Sequence, residues 1–349
     1  MSQVKVAVFG CGQHARAWHL KVYAGMPEVR LVAVVDTDLA RACEAAAEFG
    51  AEGAYADHRE ALEKGRPDLV SIVTPPAFHH RMALDAFAAG AHVLCEKPIA
   101  MNAREAWEMT RAAEAAGRFL SMGLQTRHLT ETRAVRECVR ERRLGDVFFT
   151  RVWCGHIMNI PGWGHFHRKE LAGGGVVMAT TVHILDAALW MLGNPKPASV
   201  LAFHHARLPR MAEPAVTWDG PPSDCDIEDF SHAVVRFEDG SRMSVESNWL
   251  LHPSTRPGGV EILMNDGRAW LHPLKIERSA GTRVVDETPE VAANPDPVGD
   301  FLREAVRCAQ TGEPTIVRPD QIVQVQSVLD AMYESAEVGC EVSVRSFTA

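Results

Sequence analysis

The most constraining stretch of the chain lies at its start. An apolar run, Val4-Lys5-Val6-Ala7-Val8-Phe9, ends in Gly10-Cys11-Gly12-Gln13-His14-Ala15 and passes straight into a helix pattern reaching about Met26. A buried strand turning on two glycines into a helix start is the opening of a dinucleotide-binding βαβ unit. Gly10 permits the tight turn, Gly12 lets a pyrophosphate approach the main chain, and the small Ala15 lets helix and strand pack closely. The free N–H groups of the helix start then hold phosphates without a basic side chain. A second strand, 30–36, ends in Asp36, 21 residues past Ala15. A carboxylate there accepts hydrogen bonds from an adenosine ribose and repels a 2′-phosphate. NAD is therefore favoured over NADP, with Arg41 the nearby cation that weighs against this; FAD is a minor alternative.

Strand and helix patterns keep alternating: helix 39–49 stopped by Gly50, strand 68–75, helix 78–90, strand 92–98, helix 102–117 and strand 118–123. Short connections and glycine stops in such a series imply a mostly parallel sheet. From about Leu144 the texture changes to longer alternating runs, 146–155, 230–240, 241–250 and 259–272, whose EDG and NDG turns suit antiparallel hairpins. Helix patterns at 299–311 and 319–338 precede a short strand, 341–345, and the Pro-rich stretch 207–222 reads as a surface loop. The expected fold is an α/β N-terminal Rossmann domain, 1–123, followed by a substrate-binding and oligomerisation α+β domain, 124–349. The second domain is built on a predominantly antiparallel open sheet.

Composition narrows the function classes. With 36 Lys and Arg against 45 Asp and Glu the net charge is −9, which repels phosphate backbones, and no basic run offsets it; no nucleic-acid partner is expected. Eight cysteines stand without a C-x-x-C pair, and the first residues enter a strand pattern at once, so a cytoplasmic protein with reduced thiols is expected. The apolar stretch Ala172 to Gly193 contains His183 and Asp186 and reads as buried helix plus loop rather than a membrane span.

Several local patterns together resemble the Gfo/Idh/MocA oxidoreductase family, along nearly the whole chain and in the same order. They are the glycine motif with His19 in its helix; Thr74-Pro75-Pro76 with His79; and Gly90-x-His92-Val93-Leu94-x-Glu96-Lys97-Pro98. Further on come Gly173-Gly174-Gly175 with His183-x-x-Asp186, and Ile227-Glu228-Asp229. The resemblance implies NAD(P) use, sugar, cyclitol or related polyol substrates, and homodimers or homotetramers formed through the second-domain sheet. Carried onto this sequence, it implies cofactor contacts from Gly10, Gly12, Gln13, His14, Ala15, Asp36, Thr74, Pro75, His79, Glu96 and Lys97. Lys97 and His183 are the implied catalytic residues. Hydride transfer from a secondary alcohol needs a base to take the hydroxyl proton and a cation or donor to steady the developing alkoxide; of these two side chains His183 is favoured as the general base. One position departs from the pattern. Many members carry Asp four residues before the catalytic histidine, and here that residue is Ala179. Thr180, Thr181 and nearby histidines are the candidate substitutes.

Between the domains Trp153, His156, Asn159, Trp163, His165, His167 and Arg168 fall within 16 positions. Flat faces beside polar donors suit a sugar ring, so Trp153, His156, Trp163, His165, His167 and Arg168 join Lys97, Thr180 and His183 as expected substrate contacts. Zinc or manganese on the three histidines is an alternative; no carboxylate set completes it, and no metal is expected. The leading function is an NAD-dependent oxidoreductase acting on a ring hydroxyl. An NAD-retaining catalyst of epimerisation, elimination or glycosidic cleavage, and a non-catalytic NAD/sugar sensor, remain the alternatives.

Overall fold

The computed structural model describes residues 3–155, 159–161, 165–211, 224–250 and 258–347. Its contacts divide the chain into two units, Met1–Gln125 with Asp296–Val323, and Thr126–Pro295 with Gln324–Ala349.

The first unit is built on strands β1 (Val4–Phe9), β2 (Val29–Val35), β3 (Ala54–Tyr55), β4 (Leu69–Ile72), β5 (His92–Cys95) and β6 (Leu120–Met122). They form one sheet in the order β3-β2-β1-β4-β5-β6, every pair parallel. β1, β2, β4 and β5 are rich in Val, Leu and Ala because helices cover both faces, and apart from Lys5, Arg30 and His92 their side chains are buried. The strand order reverses between β1 and β4, which opens a crevice at their carboxyl ends. Local signals set the helices. Leu39–Phe49 starts on Asp38, whose carboxylate accepts the Ala40 and Arg41 N–H groups, and stops at Gly50 with φ +73°. Ala103–Ala115 starts on Asn102 in the same way.

Two elements here lacked a sequence signal: β3 has only two residues, and the helix His58–Gly65 buries only Ala61 and Leu62. The expectation also placed every residue after 123 in the second domain. The contacts instead return Asp296–Val323 to the first unit, because the helix Pro297–Thr311 puts Phe301, Leu302, Ala305 and Val306 into the core around Leu20, Tyr23 and Leu94.

Among the described residues the second unit holds nine strands: β7 (Val147–Gly155), β8 (Pro197–His205), β9 (Phe230–Phe237), β10 (Arg242–Asn248), β11 (Gly259–Met264), β12 (Gly267–Leu271), β13 (Lys275–Ala280), β14 (Arg283–Asp286) and β15 (Val342–Ser343). Their order is β14-β13-β12-β11-β7-β10-β9-β8-β15. β7 and β10 run parallel and the remaining pairs antiparallel. Alternation sends Val152, Cys154, Val200, Ala202, Ala233, Val235, Val260 and Ile262 to one face, where the helices Val182–Met191 and Pro319–Val338 complete the core. The other face carries Leu201 and Phe203, both about half exposed, with the Phe203 ring 5.8 Å from Phe230 and 5.9 Å from His232. The helix Lys169–Met191 is long and apolar enough to cross a membrane by length and composition, yet 72% of its most apolar window is buried inside the protein. Much of the Pro-rich loop, 212–223, lies outside the described residues.

Candidate active site

In the first unit the crevice is made by loops leaving β1, β4 and β5. Gly10 has φ +99°, and a Cβ there would sit 2.4 Å from the Val73 carbonyl oxygen, so no other residue fits this turn. Gly12 is the opposite case: a Cβ on it would meet nothing within 4 Å. Its main chain borders open space at the start of the first helix, as a phosphate cradle requires. Gln13 is exposed, His14 half-buried and Ala15 fully buried. Asp36 caps the crevice on the β2 side. Its carboxylate accepts the Cys11 N–H at 3.0 Å and the Asp38 N–H at 3.0 Å, and pairs with Arg41 at 3.2 Å. Arg41 thus touches the acid meant to exclude a 2′-phosphate.

The helix following the glycines begins as a π-helical segment, Ala15–Leu20, before becoming α-helical at Lys21–Ala24. The wider turn places His19 in the interior, fully buried, with Nε2 3.0 Å from the Glu96 carboxylate. His14 Nε2 reaches the same Glu96 oxygen at 3.4 Å. The other Glu96 oxygen accepts the Lys97 main-chain N–H at 3.2 Å. Burial works to raise the Glu96 pKa, but the His14 and His19 donors outweigh it and hold the carboxyl well below the usual range. Lys97, half-buried, follows at the carboxyl end of β5, and its peptide with Pro98 is cis. Burial pushes the Lys97 ammonium pKa down while the Glu96 charge pulls it up.

Thr74 packs beside Gly10, so the Thr74-Pro75 turn joins the same crevice. His79 plays a different part from the cofactor contact expected of it. It is fully buried, and its ring nitrogens lie 2.7 Å from the Thr74 carbonyl and 2.9 Å from the Pro98 carbonyl. It ties two loops together and has no ring nitrogen left for a cofactor. His14, His19 and Glu96 are the described groups that come close enough together to hold a metal ion; hydrogen bonding within the trio already accounts for their approach.

In the second unit the helix Val182–Met191 carries His183 near its start, directly after a π-helical segment, Val177–Thr181. Three successive glycines lead into it, and two of them are demanded by close packing. A Cβ on Gly174 would lie 1.8 Å from the Tyr333 hydroxyl, and one on Gly175 1.9 Å from the Glu228 carbonyl oxygen. Glu228 accepts the Gly175 N–H at 2.9 Å, the Val177 N–H at 3.0 Å and the Tyr333 O–H at 2.8 Å. It anchors the otherwise unpaired N–H groups of the helix start, although burial raises its pKa. Glu228 stood in a recognisable motif without an assigned task, and Tyr333 had no signal beyond its helix.

Asp186, one turn past His183, is committed within the fold. It forms a two-point ion pair with Arg127, at 2.9 and 2.6 Å, with both side chains fully buried. Ala179 is buried in the core. Of its candidate substitutes, Thr181 is committed to the Val176 carbonyl and to Ser247. Thr180 is half-buried and accepts the Trp249 Nε1–H at 3.0 Å, which leaves its own hydroxyl proton to donate. Trp249, fully buried, escaped the sequence reading because a lone Trp after a strand looks like any core residue.

The expected sugar wall is only partly assembled. Trp153 does not face the helix that bears His183: alternation along β7 turns it to the opposite sheet face, where its ring lies over Gly259. His165, with φ +62°, and Arg168 are exposed, and Arg168 pairs with Glu170. His167 is half-buried, its pKa lowered by burial and then by His165 and Arg168; the His165 and His167 rings are 6.5 Å apart. His156 and Trp163 lie outside the described residues.

Residues 4–124 match the model of an oxidoreductase family with an NAD-binding Rossmann fold, and residues 132–270 match the Gfo/Idh/MocA C-terminal domain. The chain is 29% identical to the D-glucoside 3-dehydrogenase of Escherichia coli strain K12, over 98% of both chains. It is also 29% identical to D-xylose 1-dehydrogenase (NADP(+)) 2 of Haloferax volcanii, over 91% of this chain and 93% of that one. Among solved structures, levoglucosan dehydrogenase in complex with NADH and levoglucosan superposes with a TM-score of 0.85 at 22% identity, covering 99% of this chain and all of the other; that likeness is one of fold.

Proposed function

Because this chain belongs to the Gfo/Idh/MocA family of NAD-binding oxidoreductases, we propose that it is an NAD-dependent dehydrogenase. It moves a hydride between the nicotinamide and a ring hydroxyl, or the matching ketone, of a sugar, glycoside or cyclitol. The observation that carries this reading is Lys97, at the carboxyl end of the parallel strand β5, with an ionised carboxylate locked behind it. Its resemblance to a glucoside dehydrogenase along 98% of both chains supports the substrate class.

The residues present fit a dinucleotide. The open space over Gly12 and the packed turn at Gly10 form its cradle, with Asp36 placed for the adenosine ribose. When bound, the nicotinamide accepts or returns the hydride. Oxidation of R₂CH–OH to R₂C=O then releases one proton. Lys97, its ammonium pKa lowered by burial, takes that proton or steadies the alkoxide, and His183 serves as the second proton-transfer group. Thr180 donates a hydrogen bond to a substrate hydroxyl in place of the missing Asp.

NAD is preferred to NADP because the Asp36 carboxylate holds the end of β2; Arg41 beside it makes that preference modest. The first unit serves the cofactor, and the second serves the substrate and self-association. The exposed sheet face around Leu201, Phe203 and Phe230 is suited to a homodimer or homotetramer. Eight free cysteines suit the reducing cytoplasm.

A screen of NAD reduction at 340 nm across glycosides, free sugars and cyclitols tests the activity. Lys97→Ala and His183→Ala are each expected to lower kcat by about 10²–10⁴-fold. Near-wild-type turnover in both variants overturns the assignment, and a tightly bound cofactor that never exchanges moves the reading to internal redox catalysis.

A further inference from the structure

Beneath Glu96 lies a run of buried groups that the reaction itself does not touch. His19 Nε2 stands 3.0 Å from Glu96, its Nδ1 stands 2.8 Å from the Ser71 hydroxyl on β4, and that hydroxyl stands 3.2 Å from the Tyr23 phenol. His19 and Ser71 are fully buried and Tyr23 nearly so. Every oxygen and nitrogen in the run must therefore find its partner inside the protein.

That requirement fixes the direction of the protons. An ionised Glu96 only accepts, so His19 Nε2 must carry a hydrogen. If Nδ1 carried one too, it would donate to Ser71, and either the Ser71 or the Tyr23 hydroxyl proton would be left buried with no acceptor among the described residues. The opposite sense leaves no orphan: Tyr23 donates to Ser71, Ser71 to His19 Nδ1, and His19 to Glu96. Burial raises the Tyr23 phenol pKa and keeps it a donor. The remaining groups facing His19 fit this arrangement. His14 is a second donor to Glu96, and Phe301, with its ring 6.0 Å away, offers no competing polar atom. Gly123 also packs against the carboxylate, where a Cβ would lie 2.7 Å from Glu96 Oε1.

We propose that Ser71 and Tyr23 are positioning residues for the dehydrogenase reaction. They hold His19 as a one-way donor to Glu96, and Glu96 holds the main chain of Lys97. The proposal rests on the reading of Lys97 as the proton-transfer residue, and its test separates the two.

In protein carrying ¹⁵N-labelled histidine, His19 is expected as the Nε2–H tautomer at pH 7, with its Nδ1 resonance displaced by an accepted hydrogen bond. Ser71→Ala returns Nδ1 to the position of a free acceptor, and Ser71→Thr, which restores the hydroxyl, does not. Tyr23→Phe, which removes one oxygen and keeps the packing, shifts Nδ1 in the same sense by less. Ser71→Ala and Tyr23→Phe lower kcat about three- to tenfold with cofactor KM unchanged, and Ser71→Thr recovers most of the loss. A doubly protonated or Nδ1–H His19 in the wild type overturns the proposal. So does a Ser71→Ala variant whose kcat and Nδ1 resonance both match the wild type. Full activity in Lys97→Ala, with the expected His19 spectrum, instead overturns the reading of Lys97 and leaves the donor chain standing.

Discussion

Replacing Asp186 by Asn probes how the helix bearing His183 is held. Asp186 and Arg127 are both fully buried and joined by two hydrogen bonds of 2.9 and 2.6 Å. The Arg127 guanidinium also lies 5.6 Å from the Trp190 ring. An amide keeps the shape and one acceptor but leaves the guanidinium charge buried without its carboxylate. Removing one partner of such a pair costs about 3–5 kcal/mol. In a unit of this size each kcal/mol moves Tm by roughly 2–4 °C, so the expected fall is roughly 6–20 °C by calorimetry. The double variant Arg127→Met, Asp186→Leu removes both charges and fills the space, and it is expected within about 2 kcal/mol of the wild type, since well-packed apolar replacements of buried pairs are often neutral. The reasoning fails if Asp186→Asn costs under about 1 kcal/mol. It fails equally if the double variant is as unstable as the two single changes added together, because the penalty would then not come from an isolated buried charge.

The two glycines of the first loop should separate folding from binding. Gly10→Ala, with its Cβ 2.4 Å from the Val73 oxygen, should express poorly or melt several degrees lower, whereas Gly12→Ala should fold normally and raise the cofactor KM at least tenfold. A normal cofactor KM in Gly12→Ala would remove the cradle from the account. Asp36→Ala should narrow the NAD-over-NADP ratio of kcat/KM, and adding Arg41→Ala should widen it again; steady-state kinetics with both cofactors decides. Acid should destabilise the fold through two histidines whose pKa values lie near 4 against 6.5 for the free side chain. His92 is lowered by burial and then by Arg118, and His204 by burial and then by Lys169. A depressed histidine favours the folded state while neutral, so stability should be level above about pH 7 and fall from pH 6.5 through 4. Urea midpoints across that range check the sign, and His92→Asn, which keeps an acceptor for the Phe119 N–H, should reduce the slope.

Much of the first unit was legible because its information is local. The helix Leu39–Phe49 was legible to the residue with Gly50 as its stop, and the structure adds Asp38 as its cap; a cap and a left-handed stop both act within one turn. β8, β13 and β14 were not foreseen: β13 and β14 form a largely exposed hairpin without an apolar run, and β8, half exposed along its length, is held by pairing with the remote β9 and β15. Motif residues fared unevenly for a related reason. Gly10 and Gly12 share a motif, yet one is packed against Val73 and the other open. The histidine of the Thr-Pro-Pro segment proved to be a clamp between two carbonyls, because a side chain's direction depends on what closes over it.

The sequence by itself determined that a glycine turn between strand and helix would meet an acidic strand end, and that Glu96 and Lys97 would terminate a parallel strand. Those are consequences of chain connectivity and short-range sterics. Only the tertiary structure decided that Pro297–Thr311 returns to the first unit, that Trp153 faces away from His183, and that Asp186 serves Arg127 rather than substrate. The same is true of the chain from Tyr23 to Glu96. Its members lie up to 77 residues apart, and burial, which forces each polar atom to find a partner, is a property of the packed fold that no local stretch of sequence carries.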